Sequence, residues 1–303
     1  MKRLTRFLCP LATGIVMVFL SVGAPMAADG QAVPDFYMGG FGWHSRQANI
    51  MPPTADVPGI HGPIADHPDH PHCANNSVGC NPTERIGDDT SPLLQPWAAE
   101  ITREANAKVL AGGRPFTAAQ RCWPPGVPGI LGFTAEPQLF LQTPDEVIMI
   151  HQRGQVVRHI YLNEEHPDNL EPTWMGHSAG HYEGDTLVID TVALDDRSYM
   201  GNFPIPHSTQ LHVVERYRIV PGSPDLITDE PRGADNYFSD PNQKVLQVLA
   251  TIEDPGAFTD TYTEMQLYEL ATDKFDESIC AENNDDKFNE GLVPMPEDTT
   301  PDF

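Results

Sequence analysis

Basic residues are scarce in this chain: Lys and Arg number 18 against 43 Asp and Glu, a formal net charge of -25 over 303 residues. A surface this acidic repels nucleic acid and anionic lipid, so neither is an expected partner. A small-molecule ligand is the partner left to expect. The chain has no HExxH, no Walker loop and no GxGxxG opening a helix. Nucleotide chemistry and dinucleotide chemistry are therefore not expected, and neither is serine hydrolysis. Cysteines number 5, and none forms a CxxC pair.

A long apolar run is also missing. The first thirty residues, MKRLTRFLCPLATGIVMVFLSVGAPMAADG, place Lys2, Arg3 and Arg6 before an apolar stretch from Phe7 to Val22, then small residues at Ala27 and Ala28. The stretch is too short to prefer spanning a bilayer, and the order of regions is that of a secretory signal over 1–27. The expected location is periplasmic or secreted, with no membrane insertion after cleavage. Losing three basic residues takes the formal charge from -25 to -28. Cys9 leaves with the signal, and Cys73, Cys80, Cys122 and Cys280 remain. An even number in an oxidising compartment favours disulfides over metal thiolates and makes a cysteine nucleophile improbable. Of the three pairings, Cys73 with Cys80 and Cys122 with Cys280 is preferred, one closing a local loop and the other tying an arm to the C-terminus.

What is present changes character along the chain. Residues 28–135 form an arm rich in Pro, Gly, His and Asp, whose proline density forbids a helix or a central strand through most of it. It carries one expected helix over about 92–111. Pro96 suits its first turn, Trp97, Ile101, Ala105 and Leu110 mark an apolar stripe, and Gly112 and Gly113 stop it. Over 136–275 the apolar period becomes two. Short strands are expected at 138–142, 146–152, 156–162, 175–183, 186–194, 209–220, 244–253 and 262–270, separated by turn signals such as TPDE and EGD. The expected fold is mainly β: an antiparallel meander forming a calycin- or lipocalin-like barrel or a strongly curved sheet, with a two-sheet sandwich as the competitor. Residues 276–303 carry nine acidic side chains and one lysine and read as a loosely held tail.

The most informative stretch is Pro172 to Asp190, PTWMGHSAGHYEGDTLVID. Its glycines disfavour a helix, and Gly184-Asp185 suits a two-residue type II′ loop, so it reads as a β-hairpin. Four residues along a strand cover about 13 Å, which keeps His177 and His181 from sharing one metal ion. In the register this loop sets, Asp190 lies diagonal to both histidines, about 7 Å from each between backbones. Either Tyr182, Leu187 and Ile189 face the core and His177, His181, Glu183 and Asp190 face solvent, or the polar face lines the lumen as an acid-base or metal group, with Asp190 orienting one imidazole. Alternation alone leaves both open.

Other polar residues sit among apolar ones. Glu215 shares a face with Leu211, Val213, Tyr217 and Ile219, which is costly unless it is paired, for instance with Arg158, or protonated. His151, His159, Tyr161 and His207 are candidate pocket residues beside Arg158. In the arm, His61, His67, His70 and His72 could hold Zn²⁺ or Cu²⁺ together with Asp66 and Asp69, although the prolines between them limit how they converge. Otherwise no cofactor is expected. The reading that follows is a small, largely apolar molecule bound at one end of a barrel, with cofactor-free lyase, hydratase or isomerase chemistry. Glu215 is the expected base and His177, His181 and Asp190 its partners. The alternatives are a non-catalytic periplasmic binding protein and a metal-binding protein using the arm.

From RCWPPGVPG through QLFLQTPDEVIMIHQ and PTWMGHSAGHYEGDTLVIDT to HSTQLHVVERYRI and TIEDPGAFT, roughly Arg121 to Thr259, the chain resembles a family of exported bacterial all-β proteins. The resemblance implies export and an all-β core and supplies no mechanism. Family members often carry Asp-Gly-Arg where this chain has Asn163, Glu164 and Glu165, so the basic residue of that loop is missing here.

Overall fold

The computed structural model describes residues 33–40, 42–45, 50–62, 67–70, 86–113, 122–132, 137–152, 156–201, 203–226 and 238–271, with 275, 277 and 279. The expected signal 1–27, His72, Cys73, Cys80, Cys280 and nearly all of the acidic tail lie outside these residues. Cys122 is disulfide-bonded.

The chain folds into a closed barrel. Its strands are β1 (Trp43–His44), β3 (Gln138–Gln142), β4 (Glu146–His151), β5 (Val156–Leu162), β6 (His177–Glu183), β7 (Thr186–Val192), β8 (His212–Pro221), β9 (Lys244–Glu253) and β10 (Tyr262–Leu270), and β1 pairs with both β3 and β10 to close it. A further strand, β2 (Ile60–His61), adds parallel to the edge of β10. The barrel is mixed: β5 and β6 run parallel, joined by a crossover through 163–176, while all other barrel neighbours run antiparallel. A purely antiparallel meander is thus interrupted once.

Alternation decides the inside. On β6 and β7, Ser178, Leu187, Ile189 and Thr191 are buried, whereas His181 and Glu183 are exposed. The hairpin register is the one its loop implies, with Glu183 opposite Thr186, His181 opposite Val188 and Ala179 opposite Asp190. Gly184 has φ +62°, which the first position of a type II′ turn requires. Gly180 faces inward, where an added Cβ would stand 2.6 Å from Ile160 Cγ2. The apolar inward residues form one core with Trp43, Phe140, Val147, Met149, Val213, Tyr217, Val248 and Ala250. Each large side chain buried this way contributes about 1.5–3 kcal/mol.

Helix α1 (Pro96–Leu110) is held by Gln95, whose N–H donates to the Ala257 carbonyl at 2.8 Å. Its buried face is Ala98, Thr102, Asn106 and Val109, not the expected stripe, since Trp97, Ile101 and Leu110 are exposed. Specific hydrogen bonds accompany this choice. The Asn106 amide accepts from the Gly87 N–H at 2.9 Å and donates to the Gly87 carbonyl at 2.8 Å. Thr102 lies under the 194–208 loop, its hydroxyl reaching the Pro204 carbonyl at 3.4 Å. At the other end of the barrel, Gln142 accepts from the Phe36 N–H at 2.8 Å and donates to the Pro34 carbonyl at 2.9 Å, which seats the arm there.

Candidate functional site

Two polar groups stand out, one inside the barrel and one on its outer wall. Inside, Arg158 on β5 and Glu215 on β8 form a fully buried ion pair. Arg158 Nη1 donates to Glu215 Oε1 at 3.1 Å, Nη2 donates to Oε2 and to Thr191 Oγ1 at 2.8 Å, and Nε donates to Ser178 Oγ at 3.1 Å. Tyr217 adds its hydroxyl to Glu215 Oε1 at 2.8 Å. Burial works against the Arg158 charge, but Glu215 beside it outweighs that and lifts the Arg158 pKa. Burial raises the Tyr217 pKa well above its ordinary value, and Glu215 adds to it. Both Glu215 carboxyl oxygens are therefore engaged and the side chain is anchored.

A second acid points into the same space. Glu264 on β10 shares a ladder row with Glu215 through Ala250, which pairs with both. It is buried, and its Oε1 has no hydrogen-bond partner. Burial, and then the nearby Glu215 charge, push its pKa up to about 8. His151 on β4 also faces inward with an unpartnered Nε2, and burial together with Arg158 lowers its pKa to about 3. The Gln138 amide lies close enough to Tyr268 to act on its hydroxyl, yet neither of its polar atoms completes a hydrogen bond. The Tyr268 hydroxyl and the Gln266 amide instead donate to the Leu131 carbonyl, at 3.2 and 3.0 Å.

Outside, Asp190 Oδ1 accepts from His212 Nε2 at 2.9 Å and from His166 Nε2 at 3.1 Å. His166, on the β5–β6 crossover, meets His177 with 2.8 Å between their Nδ1 atoms. Tyr161 stacks on His177, with 5.3 Å between ring centres. The His212 hydrogen bond, and then His166, hold the Asp190 carboxyl below its usual range. The same Asp190 bond raises the His212 pKa, whereas burial and the neighbouring His166 lower that of His177. His181 turns away to Glu183 at 3.1 Å, and His159 meets Glu146 at 2.6 Å on the exposed wall.

The expected residues are thus divided. Glu215, Arg158 and His151 share the lumen; His177, Asp190, His181, His159 and Tyr161 are on the outer wall. Asp190 meets His166 and His212 instead of His181. His207 lies in a third place, within the loop between β7 and β8. Its Nε2 is 2.8 Å from Ser198 Oγ and its Nδ1 is 2.9 Å from the Ser208 carbonyl. Burial lowers its pKa, against that carbonyl and nearby Asp254. In the arm, His61 bonds the Val57 carbonyl at 2.7 Å, and the His67 and His70 ring centres stand 5.4 Å apart. Among the described residues, no group of three or more His, Cys, Asp or Glu is arranged to hold a metal ion.

Gly176 to Gly180 reads GHSAG, which has the letters of the GxSxG nucleophile elbow. The elbow requires an exposed serine on a strand-to-helix turn. Ser178 is instead buried within β6, its hydroxyl held by Arg158 and 3.0 Å from Thr191 Oγ1, so it is part of the ion-pair network.

Glu264, His166 and His212 were missed by sequence reasoning. A signal for Glu264 is the face Tyr262, Glu264, Gln266 and Tyr268, four polar or amphipathic residues alternating along one strand. His212 could be found from its position on the Val214 face of β8, opposite in parity to Glu215, since Val214 pairs with Asp190. No family model, no curated protein and no solved structure matches this chain.

Proposed function

We propose that this is an exported, periplasmic or secreted protein whose barrel takes a small, largely apolar molecule and moves a proton on it without a cofactor, as a lyase, hydratase or isomerase does. The observation that carries this reading is the unpartnered Glu264 Oε1, buried and facing the lumen one ladder step past Ala250 from an anchored Glu215. Two carboxyl groups whose surroundings push their protonation apart are a recurring arrangement for acid-base work. Glu264, not Glu215, is the group free to exchange a proton, because Arg158 and Tyr217 occupy the Glu215 oxygens.

A second reading is a non-catalytic binding protein. The closed Arg158–Glu215 network favours it, because it leaves no free carboxylate to act as base at neutral pH. The neutral fluorescent probe N-phenyl-1-naphthylamine tests the common ground. Its fluorescence should rise saturably with wild-type protein and lose that response in Ala250→Trp, which fills the space between the two glutamates. An unchanged response in a folded Ala250→Trp protein would place binding elsewhere. Deuterium uptake from D2O into a bound molecule then separates the readings: an enzyme shows it and loses it in Glu264→Gln, and a carrier never shows it.

A further inference from the structure

The barrel interior has an unusual charge balance, and it bears on what could enter. Among the described residues, the inward-facing strand positions carry acidic or basic side chains at Arg158, Glu215, Glu264 and His151; Lys244 has the same parity but sits at the exposed rim. Among these described inward-facing residues, Arg158 and Glu215 form the one close ion pair, and they balance each other. The remaining hydrogen-bonding capacity of the pair is largely spent on Ser178, Thr191 and Tyr217. An ionised ligand would find no unpaired charge to meet and would lose its hydration, which is costly in a low-dielectric interior.

What does remain free is neutral. The Glu264 carboxyl has an unpartnered oxygen, His151 an unpartnered Nε2, and Gln138 an amide with neither atom hydrogen-bonded. A protonated carboxylic acid offers one O–H donor and one carbonyl acceptor, and an amide offers the same pair of functions. A buried polar group left without a partner costs about 1–3 kcal/mol, so a molecule supplying the missing partners recovers that cost on binding. The inward-facing residues around them, including Phe140, Val147, Met149, Val213, Val248 and Ile252, are apolar and belong to the buried core.

We propose that the molecule taken by the barrel is uncharged, with an apolar body and an amide- or alcohol-type head that pairs with the Glu264 carboxyl. This rests on the small-molecule reading above and narrows it: fatty acids and alkylamines are excluded, and neutral polar-headed molecules of the same chain length are favoured. The carboxyl pKa of about 8 keeps Glu264 protonated at neutral pH, and that of His151, about 3, keeps the imidazole neutral. Both agree with a lumen of zero net charge.

The test is competition for N-phenyl-1-naphthylamine at pH 7 by four molecules that share one chain: octanamide, octanol, octanoate and octylamine. Octanamide and octanol should displace the probe at concentrations at least about tenfold lower than octanoate or octylammonium, the ratio that 1.4 kcal/mol produces. Glu264→Leu, checked for folding by circular dichroism, should weaken octanamide by a similar factor. Octanoate or octylammonium competing as well as octanamide would overturn the inference while leaving the barrel a binding site. An octanamide affinity unchanged in Glu264→Leu would overturn the assignment of the head group. Failure of the probe itself to bind would remove the small-molecule reading along with it.

Discussion

The two faces of the β6–β7 hairpin carry polar residues from the same fourteen positions, yet they behave differently. Ser178 and Thr191 point inward and help to hold Arg158, which is sealed from water with Glu215. His177 and Asp190 point outward and join a chain with His166 and His212 that water reaches. The inner network is fixed because any unpaired member would be stranded in a low dielectric. The outer chain is partly exposed, so water competes with its bonds and each is worth less. Resemblance to a catalytic arrangement is therefore weaker grounds for function than an unmet partner, and among the described residues Glu264 Oε1 and His151 Nε2 are inward-facing atoms without one.

The comparison breaks most visibly at the inner pair. Arg158→Met leaves Glu215 buried without its cation and should cost about 3–5 kcal/mol of stability in urea denaturation. Adding Glu215→Leu to it should restore much of that loss, because an apolar pair of similar volume often replaces a buried ion pair without penalty. A loss below about 1 kcal/mol for Arg158→Met alone would show that water reaches the pair. On the outer wall, Asp190→Asn should cost at most about 1 kcal/mol, and its clearer effect is on His212. Asp190 raises the His212 pKa, so His212 contributes stability that is present below its unfolded pKa and lost as pH rises through its folded one. Removing the Asp190 charge should lower the His212 midpoint in an NMR titration and flatten that dependence.

Much of the barrel was legible because its strands alternate and its turns are short. TPDE and EGD mark the β3–β4 and β6–β7 turns, and strands 138–142, 156–162, 244–253 and 262–270 have the expected bounds. The parallel β5–β6 step was not legible, since the sequence between them has no helix to announce a crossover. The helix face was misread because the buried side is polar: Asn106 and Thr102 satisfy backbone groups of Gly87 and Pro204, which no hydrophobic stripe encodes. The Arg158–Glu215 pair was legible from the cost of burying a lone glutamate. Glu264 was not read, because its strand is buried on both sides and its alternation of polar with apolar residues does not show which side is the lumen.

The account turns on Glu264 being protonated inside the folded barrel at neutral pH. The most direct test is the stability of the wild type and of Glu264→Gln, compared from pH 4 to pH 9. Burial raises the Glu264 pKa from 4.5 to about 8, so between those values the folded state keeps a proton that the unfolded state releases. Wild-type stability should then fall relative to the Gln variant as pH rises through that window, by up to about 1.4 kcal/mol per pH unit, and the difference should level off above it. A difference that stays constant from pH 4 to pH 9 would mean that Glu264 ionises like an ordinary surface carboxylate, and would contradict the account.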